Sequence, residues 1–166
     1  MIHRRHDSFV APVALVALSA LTAVACSSGT DHQGVSTRPA APTSGPGPTI
    51  DVADSHLGKI LVDSQSRTLY VFKADSGTTS ACFGACASAW PPLRTASPPT
   101  VGGGAKVSLA ATTARSDGEP EVTYNGHPLY RFAGDQRAGD TNGQGLTAFG
   151  GEWLVLSPAG DAVVGH

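Results

Sequence analysis

The chain has 166 residues, of which 40% are hydrophobic and 14% are charged, and its formal net charge is −2. Its Lys and Arg residues form no basic stripe that could neutralise phosphate groups, so we expect no nucleic-acid partner.

The first 25 residues have the layout of a signal peptide. Arg4 and Arg5 belong to a basic head, an apolar run covers 9–25, and small residues precede Cys26. A secretory signal of this kind is removed from the mature protein. The run is shorter than the ~20 residues of a membrane helix, and Pro12 further weakens a permanent span.

The sequence Ala-Val-Ala-Cys at 23–26 resembles the bacterial lipobox, although Ala23 stands where Leu is usual. In that motif the Cys is diacylated, with chains such as palmitate, and becomes the new N-terminus. Each buried methylene contributes about 0.8 kcal/mol, so two chains give stable attachment. We therefore expect an extracytoplasmic protein anchored to the cell membrane through Cys26. Ordinary cleavage beside Ala25 and an uncleaved anchor are the alternatives.

Residues 26–53 are rich in Ser, Thr, Gly and Pro and contain few large apolar side chains. Such a segment cannot bury enough surface to offset its ordering entropy, which predicts a flexible tether. Without residues 1–25, the chain keeps nine Lys and Arg and twelve Asp and Glu, a formal charge of −3.

Residues 54–166 are enough for one compact domain. Short β-type runs alternate with turn residues, which predicts a mainly β fold of about seven strands. A short helix is predicted around 79–89, where Pro91 and Pro92 prevent continuation. The predicted strands lie at 59–63, 68–73, 105–110, 121–125, 128–132, 153–157 and 161–165.

Two related stretches, TLYVFKAD at 68–75 and PLYRFAGD at 128–135, indicate an internal repeat. The first repeat covers about 57–93 and the second about 119–158. Strand alternation places each Tyr and Phe on one face, which we expect to pack in the core. The motif residues are Tyr70, Phe72, Asp75 and Trp90 in the first repeat, and Tyr130, Phe132, Asp135 and Trp153 in the second.

These motifs resemble the bacterial "secreted repeat of unknown function" family, described as predicted lipoproteins with a Y-x-(F/W/Y)-x-x-D motif. The resemblance also covers the G-x-I-L-V-D-S, C-x-x-x-C-A-x-x-W-P-P-L and V-T-Y-N-G-H-P-L-Y patterns, within 57–158. It implies export and usually a lipid anchor. It implies no established activity.

Cys82 and Cys86 are the remaining thiols of the mature chain, in a compartment that favours oxidation. We predict a disulfide between them. Because i and i+4 Cβ atoms on a regular helix lie too far apart, the helix must be distorted or begin inside the motif, as Gly84 would allow. A reactive dithiol is the alternative, although the spacing exceeds that of C-x-x-C. Ala87 replaces the His of a haem-attachment motif.

No metal or other cofactor is predicted. His56 and His127 could join the two cysteines, but their positions lack zinc-ligand spacing. The glycine-rich segment 139–151 fits neither the EF-hand nor the phosphate-loop template.

Asp75 and Asp135 occupy equivalent repeat positions, and two facing carboxylates could act as acid and base in a hydrolase. A role in capping turns explains them more simply. The leading interpretation is a lipid-anchored, non-catalytic domain that binds a protein, a wall component or a small ligand. A redox or electron-transfer accessory that uses Cys82 and Cys86 or a bound metal is the second, and the hydrolase is the third.

Overall fold

A computed structural model describes residues 49–165 of the chain. The predicted signal peptide at 1–25, the lipidation site Cys26 and the tether up to residue 48 lie outside the described residues. Within the described part, no helix is long and apolar enough to cross a membrane.

Within residues 49–165 the fold is mainly β, as predicted, with eight short strands where seven were expected. One α-helix and one 3₁₀ helix accompany them. The strands are β1 (Asp51–Ser55), β2 (Gly58–Val62), β3 (Tyr70–Phe72), β4 (Ala110–Arg115), β5 (Gly118–Tyr124), β6 (His127–Pro128), β7 (Thr147–Ala148) and β8 (Gly151–Val155). The helices are α1 (Ala85–Ala89) and the 3₁₀ turn Val107–Leu109.

The strands form three small antiparallel sheets, in the orders β1-β2, β3-β8-β7 and β4-β5-β6. β3 belongs to the first repeat and β8 to the second, so the β3-β8-β7 sheet joins the two repeats. A reciprocal pair of backbone hydrogen bonds reinforces this join. The N–H of Tyr70 donates to the carbonyl of Tyr130 at 2.8 Å, and the N–H of Tyr130 donates to the carbonyl of Tyr70 at 2.9 Å.

Both faces of β3 are buried. Tyr70 and Phe72 lie in an aromatic cluster with Trp90, Tyr130 and Trp153. Their neighbour Val71 packs in a separate, mostly aliphatic cluster. Tyr70, Phe72 and Tyr130 are therefore buried as predicted, whereas Phe132 is only half-buried. The opposite face of β3 is buried as well. The aliphatic cluster consists of Ile50, Leu61, Leu69, Val71, Leu93, Val122, Tyr124, Leu129, Leu154 and Leu156.

Four aromatic rings form a continuous stack in which the repeats alternate. Phe72 stacks on Trp153 with ring centroids 4.1 Å apart, and Trp153 stacks on Trp90 at 3.9 Å. Trp90 in turn stacks on Phe132 at 4.2 Å. Both tryptophans are fully buried, so they fill the core between the repeats.

The predicted helix is shorter than expected, since residues 79–84 are not helical. α1 begins only after Gly84, which has a φ of 57°. Ser80 accepts a hydrogen bond from the N–H of Cys82 at 3.1 Å, so its side chain competes with the backbone pairing of a helix. The helix thus begins inside the cysteine motif, one of the two geometries that the predicted disulfide required.

Several strand boundaries were predicted wrongly. The run 105–110 contains the 3₁₀ turn, and the strand itself is β4, whose Ala-Ala-Thr-Thr sequence carries no clear hydrophobic alternation. The runs 128–132 and 161–165 pair mainly through isolated bridges, at Tyr130 and Ala162. Tyr130 pairs with the distant residues Tyr70 and Pro92, and Ala162 pairs with Leu156 across a short turn. Neither run therefore pairs with an adjacent long strand.

The folded region also starts earlier than predicted. β1 pairs with β2 from Asp51 onward, so it overlaps the predicted tether by residues 51–53. Ile50 is fully buried in the aliphatic cluster and donates its N–H to the carbonyl of Thr100 at 3.0 Å. A single well-placed Ile after a Pro-rich stretch is too weak a signal to mark a strand start.

Candidate functional site

The two motif tyrosines exchange hydrogen bonds with the aspartates of the opposite repeats. The hydroxyl of Tyr70 donates to Oδ2 of Asp135 at 2.6 Å. The hydroxyl of Tyr130 lies 2.9 Å from Oδ2 of Asp75 and donates to it. The motif Y-x-F-x-x-D is therefore completed across the domain, since neither tyrosine bonds the aspartate of its own copy.

The second oxygen of each aspartate is held by its own loop. Oδ1 of Asp75 accepts the N–H of Ala81 at 2.7 Å, and Oδ1 of Asp135 accepts the N–H of Asn142 at 2.9 Å. These loop contacts are of the kind that the turn interpretation predicts. The contacts to the tyrosines could not be read from either copy alone, because they join residues 55 and 65 positions apart.

The Tyr70–Asp135 pair is buried, and the Tyr130–Asp75 pair is partly buried because Asp75 is only half-buried. Burial raises the pKa of Asp75 and of Asp135, and hydrogen bonds from the tyrosines and loop amides oppose that rise. Burial likewise raises the pKa of Tyr70 and of Tyr130, so both hydroxyls stay protonated and act as donors. Each pair is a satisfied structural hydrogen bond rather than a carboxylate that faces an open cleft.

A buried polar network surrounds the Tyr130 end of this arrangement. The hydroxyl of Tyr130 lies 2.6 Å from Oγ of Ser80. The guanidinium of Arg115 donates to Ser80 at 2.8 Å, to the carbonyl of Cys82 at 2.7 Å and to Glu121 at 2.7 Å. Arg115 thus ties the disulfide loop of the first repeat to the β4–β5 hairpin of the second.

Arg115 is also paired with Asp117 through two hydrogen bonds, of 2.7 and 2.9 Å. Its guanidinium lies over the ring of Phe83, 4.5 Å from the ring centre. The Arg115 side chain is fully buried, and its hydrogen bonds to Asp117 raise its pKa. Sequence reasoning missed this residue, because a single Arg in the ATTARSDGE stretch looks like any surface arginine.

Glu121 is the fully buried carboxyl that accepts from Arg115 in this network. Burial raises the pKa of Glu121 to about 7. The hydrogen bond from Arg115 lowers this pKa, but Arg115 is also bonded to Asp117. Oε2 accepts from Arg115, whereas Oε1 has no hydrogen-bond partner among the described residues. A buried oxygen without a partner favours the protonated form of the carboxyl.

Cys82 and Cys86 form a disulfide, with their Cα atoms 5.2 Å apart. Cys82 has no exposed surface and Cys86 is 6% exposed, so the bond lies in the aromatic cluster. His56 and His127 do not join these cysteines in a ligand set, because the described residues contain no group of three or more potential metal ligands. In the glycine-rich segment, Asp140 accepts the N–H groups of Gln136 and Arg137, so this carboxylate organises its own loop.

A separate open groove of about 560 Å³ lies beside β4. Its lining contains no charged residue and combines small apolar side chains with three hydroxyl groups. The lining residues are Thr95, Ala96, Ser97, Pro98, Pro99, Val107, Ala110, Ala111, Thr112 and Pro120. The volume falls within the range of small-molecule sites, roughly 300–1,000 Å³. No motif in the sequence indicated this groove, since its residues come from separate segments of low complexity.

The crosswise hydrogen bonds predict a specific pattern of energetic coupling. Tyr70→Phe and Asp135→Asn should each lower the free energy of unfolding by about 1–3 kcal/mol. Phe removes the hydroxyl donor, and the Asn amide offers one acceptor oxygen where the carboxylate accepts from both Tyr70 and Asn142. Combined, they should be non-additive by about 0.5–3 kcal/mol. Denaturant unfolding of the single and double variants measures this coupling.

The matched control is the pair within one repeat, Tyr70→Phe with Asp75→Asn. These residues make no mutual contact, so their effects should add. Equal coupling in both pairs would contradict the crosswise arrangement.

The stability of the domain should fall as the pH rises toward neutrality. Glu121 has a pKa raised from 4.5 to about 7 in the folded state, so its folded form binds the proton more tightly than the unfolded chain does. Its stabilising contribution is complete below pH 4.5 and is lost as the pH rises through about 7, by on the order of 3 kcal/mol. Glu121→Gln should flatten this part of the profile, measured as the free energy of unfolding at several pH values.

Glu119→Gln serves as the control, because Glu119 is an exposed carboxyl on the same strand. That variant should keep the pH profile of the parent. A profile that Glu121→Gln leaves unchanged would show that another group causes the dependence.

A family model described as "Secreted repeat of unknown function" matches residues 51–94 and 111–157, which together make up more than half of the chain. The two matched segments correspond to the two repeats, and a secreted family agrees with an extracytoplasmic location. No curated protein and no solved structure matches the chain. The chain belongs to the family of secreted repeats of unknown function.

Proposed function

We propose that this protein is a lipid-anchored extracytoplasmic lipoprotein whose two-repeat domain is a non-catalytic binding module. The observation that carries the proposal is the contrast between its two polar regions. The carboxylates of Asp75 and Asp135 accept hydrogen bonds from the tyrosines inside the domain. The open groove beside β4, in contrast, is lined by no charged residue. A concave surface without an acid, a base or a strong nucleophile suits binding rather than bond cleavage.

The hydrolase alternative requires that Asp75 and Asp135 be free to contact a substrate. A general acid or base must reach the substrate, within hydrogen-bond distance or through one water. Each oxygen of Asp75 and of Asp135 already accepts a hydrogen bond from a hydroxyl or a loop amide. Both carboxylates would have to leave these contacts before they could act on a substrate.

The redox alternative requires that a reductant reach the disulfide. Cys82 is fully buried and Cys86 nearly so, and Arg115 holds the carbonyl of Cys82. Thiol–disulfide exchange proceeds by direct attack on a sulfur, so access controls its rate. The buried disulfide therefore supports a structural role, as a covalent link between α1 and the loop that precedes it.

The anchor proposal rests on Cys26 in its lipobox-like context. Twenty-two residues separate Cys26 from Thr49, where the described chain begins. A flexible chain of that length spans roughly 25 Å on average, which would hold the domain clear of the membrane surface.

Cys26→Ala should abolish membrane attachment, because no thiol remains to carry the acyl chains. We expect the variant in the medium or as an unprocessed precursor. Cell fractionation with metabolic labelling by a palmitate analogue measures both outcomes. Ser27→Ala is the matched control and should remain labelled and membrane-bound. Normal labelling of Cys26→Ala would refute the anchor.

The groove proposal is tested with solubilised peptidoglycan fragments and with hydrophobic small-molecule probes. Ser97→Trp places a large ring in the groove and should weaken any binding at least about tenfold, since a filled site loses its contact area. Ser64→Trp, on an exposed turn after β2, is the control. Chemical-shift mapping of the labelled protein locates the contact. Binding that Ser97→Trp leaves intact, or no binding of either probe class, would contradict the assignment.

A further inference from the structure

β4 is the outer strand of its sheet, and its outer edge is unpaired among the described residues. The sheet order is β4-β5-β6, and β4 pairs with β5 alone. Open strand edges present a row of backbone donors and acceptors on which another strand can pair.

The direction of the backbone groups on β4 follows from its partner. Thr112 stands opposite Val122 in the β4–β5 register. The N–H of Val122 donates to the carbonyl of Leu93, and its carbonyl accepts from Leu129, so both groups point away from β4. Thr112 and Val122 are thus a non-hydrogen-bonded pair, and the N–H and C=O of Thr112 point outward from the sheet.

The centre of this edge lacks the usual protections against strand pairing. Natural edges carry a charge, a Pro or a bulge. The segment Ala110–Ala111–Thr112–Thr113 has no charge and no Pro, and its bulge lies beyond it, between Thr113 and Arg115. Val107, next to this segment, is 72% exposed.

The charges at the two ends of the edge are complementary to each other. Lys106 lies before the N-terminal end of β4 and Glu119 follows its C-terminal turn, and both are exposed. Neither side chain belongs to an ion pair within the described part of the chain. An antiparallel partner with the same sequence would therefore set opposite charges against each other at both ends.

We propose that β4 pairs with β4 of a second copy of this chain across a two-fold axis at Thr112. The outward N–H and C=O groups of the two Thr112 residues bond each other, and the two three-stranded sheets become one six-stranded sheet. Lys106 of each copy then lies beside the 117–119 turn of the other. Such an interface is isologous, with the same patch on both copies. The proposal requires neither a groove ligand nor the lipid anchor, but the groove lining shares Ala110, Ala111 and Thr112 with this edge, so dimerisation is measured without added groove ligand.

The experiment cross-links the full chain in the cells that produce it. Thr112→Cys adds a thiol at the proposed axis, and a short bis-maleimide joins two such thiols when they face each other. We expect at least about tenfold more covalent dimer from Thr112→Cys than from Ser64→Cys, because only a specific two-fold contact brings identical residues together. Equal yields, or a monomer from both variants, would overturn the proposal.

Charge reversal tests the register. In the Thr112→Cys background, Lys106→Glu should lower the dimer yield about three- to tenfold, since like charges then face each other across the strands. Adding Glu119→Lys should restore it. Failure of the double exchange to restore the dimer would overturn the antiparallel register.

A proline variant distinguishes backbone pairing at the β4 edge from contacts made by side chains alone. Ala111→Cys should cross-link as Thr112→Cys does, and adding Thr112→Pro should abolish the product. Pro removes an outward N–H there and leaves the β4–β5 hydrogen bonds in place. Persistent cross-linking of two copies would overturn backbone pairing at Thr112. A cross-link to a different protein would show that β4 has another occupant.

Discussion

The structure depends on the exchange of tyrosine and aspartate between its two repeats. Tyr70 bonds Asp135, and Tyr130 bonds Asp75, so each repeat supplies what the other lacks. The two tyrosines also pair through their backbones. Buried hydrogen bonds of this kind are costly to break, because an orphaned carboxylate or hydroxyl keeps its desolvation penalty. Neither repeat could satisfy its motif alone, and the domain is therefore a single unit of two copies.

The aromatic stack follows the same principle in apolar form. Phe72 and Phe132 cap the ends of a column whose centre is the Trp90–Trp153 pair, and each ring rests on a ring from the other repeat. Strands this short contribute few ladder hydrogen bonds, so burial of large aromatic surfaces supplies much of the driving force. The disulfide lies within the first repeat, and no cysteine occupies the corresponding part of the second, so the two repeats differ there.

The residues that hold the domain together differ from those that form its open surfaces. Most of the repeated aromatic residues lie inside the domain, whereas the groove and the edge of β4 are built mainly from Ala, Thr, Ser and Pro. Because contacts between the two repeats stabilise the interior, the outer segments are not needed to hold the domain together.

The sequence alone determined the repeat, the mainly β class and the burial of Tyr70, Phe72 and Tyr130, because alternation and duplication are local patterns that can be read without tertiary information. It also indicated the cysteine pair. It misjudged the strand at 128–132 and the start of β1, where pairing to distant segments decides the outcome. Only the tertiary structure showed that each aspartate serves the other repeat's tyrosine and that Arg115 is buried, since those contacts join residues 33 to 65 positions apart.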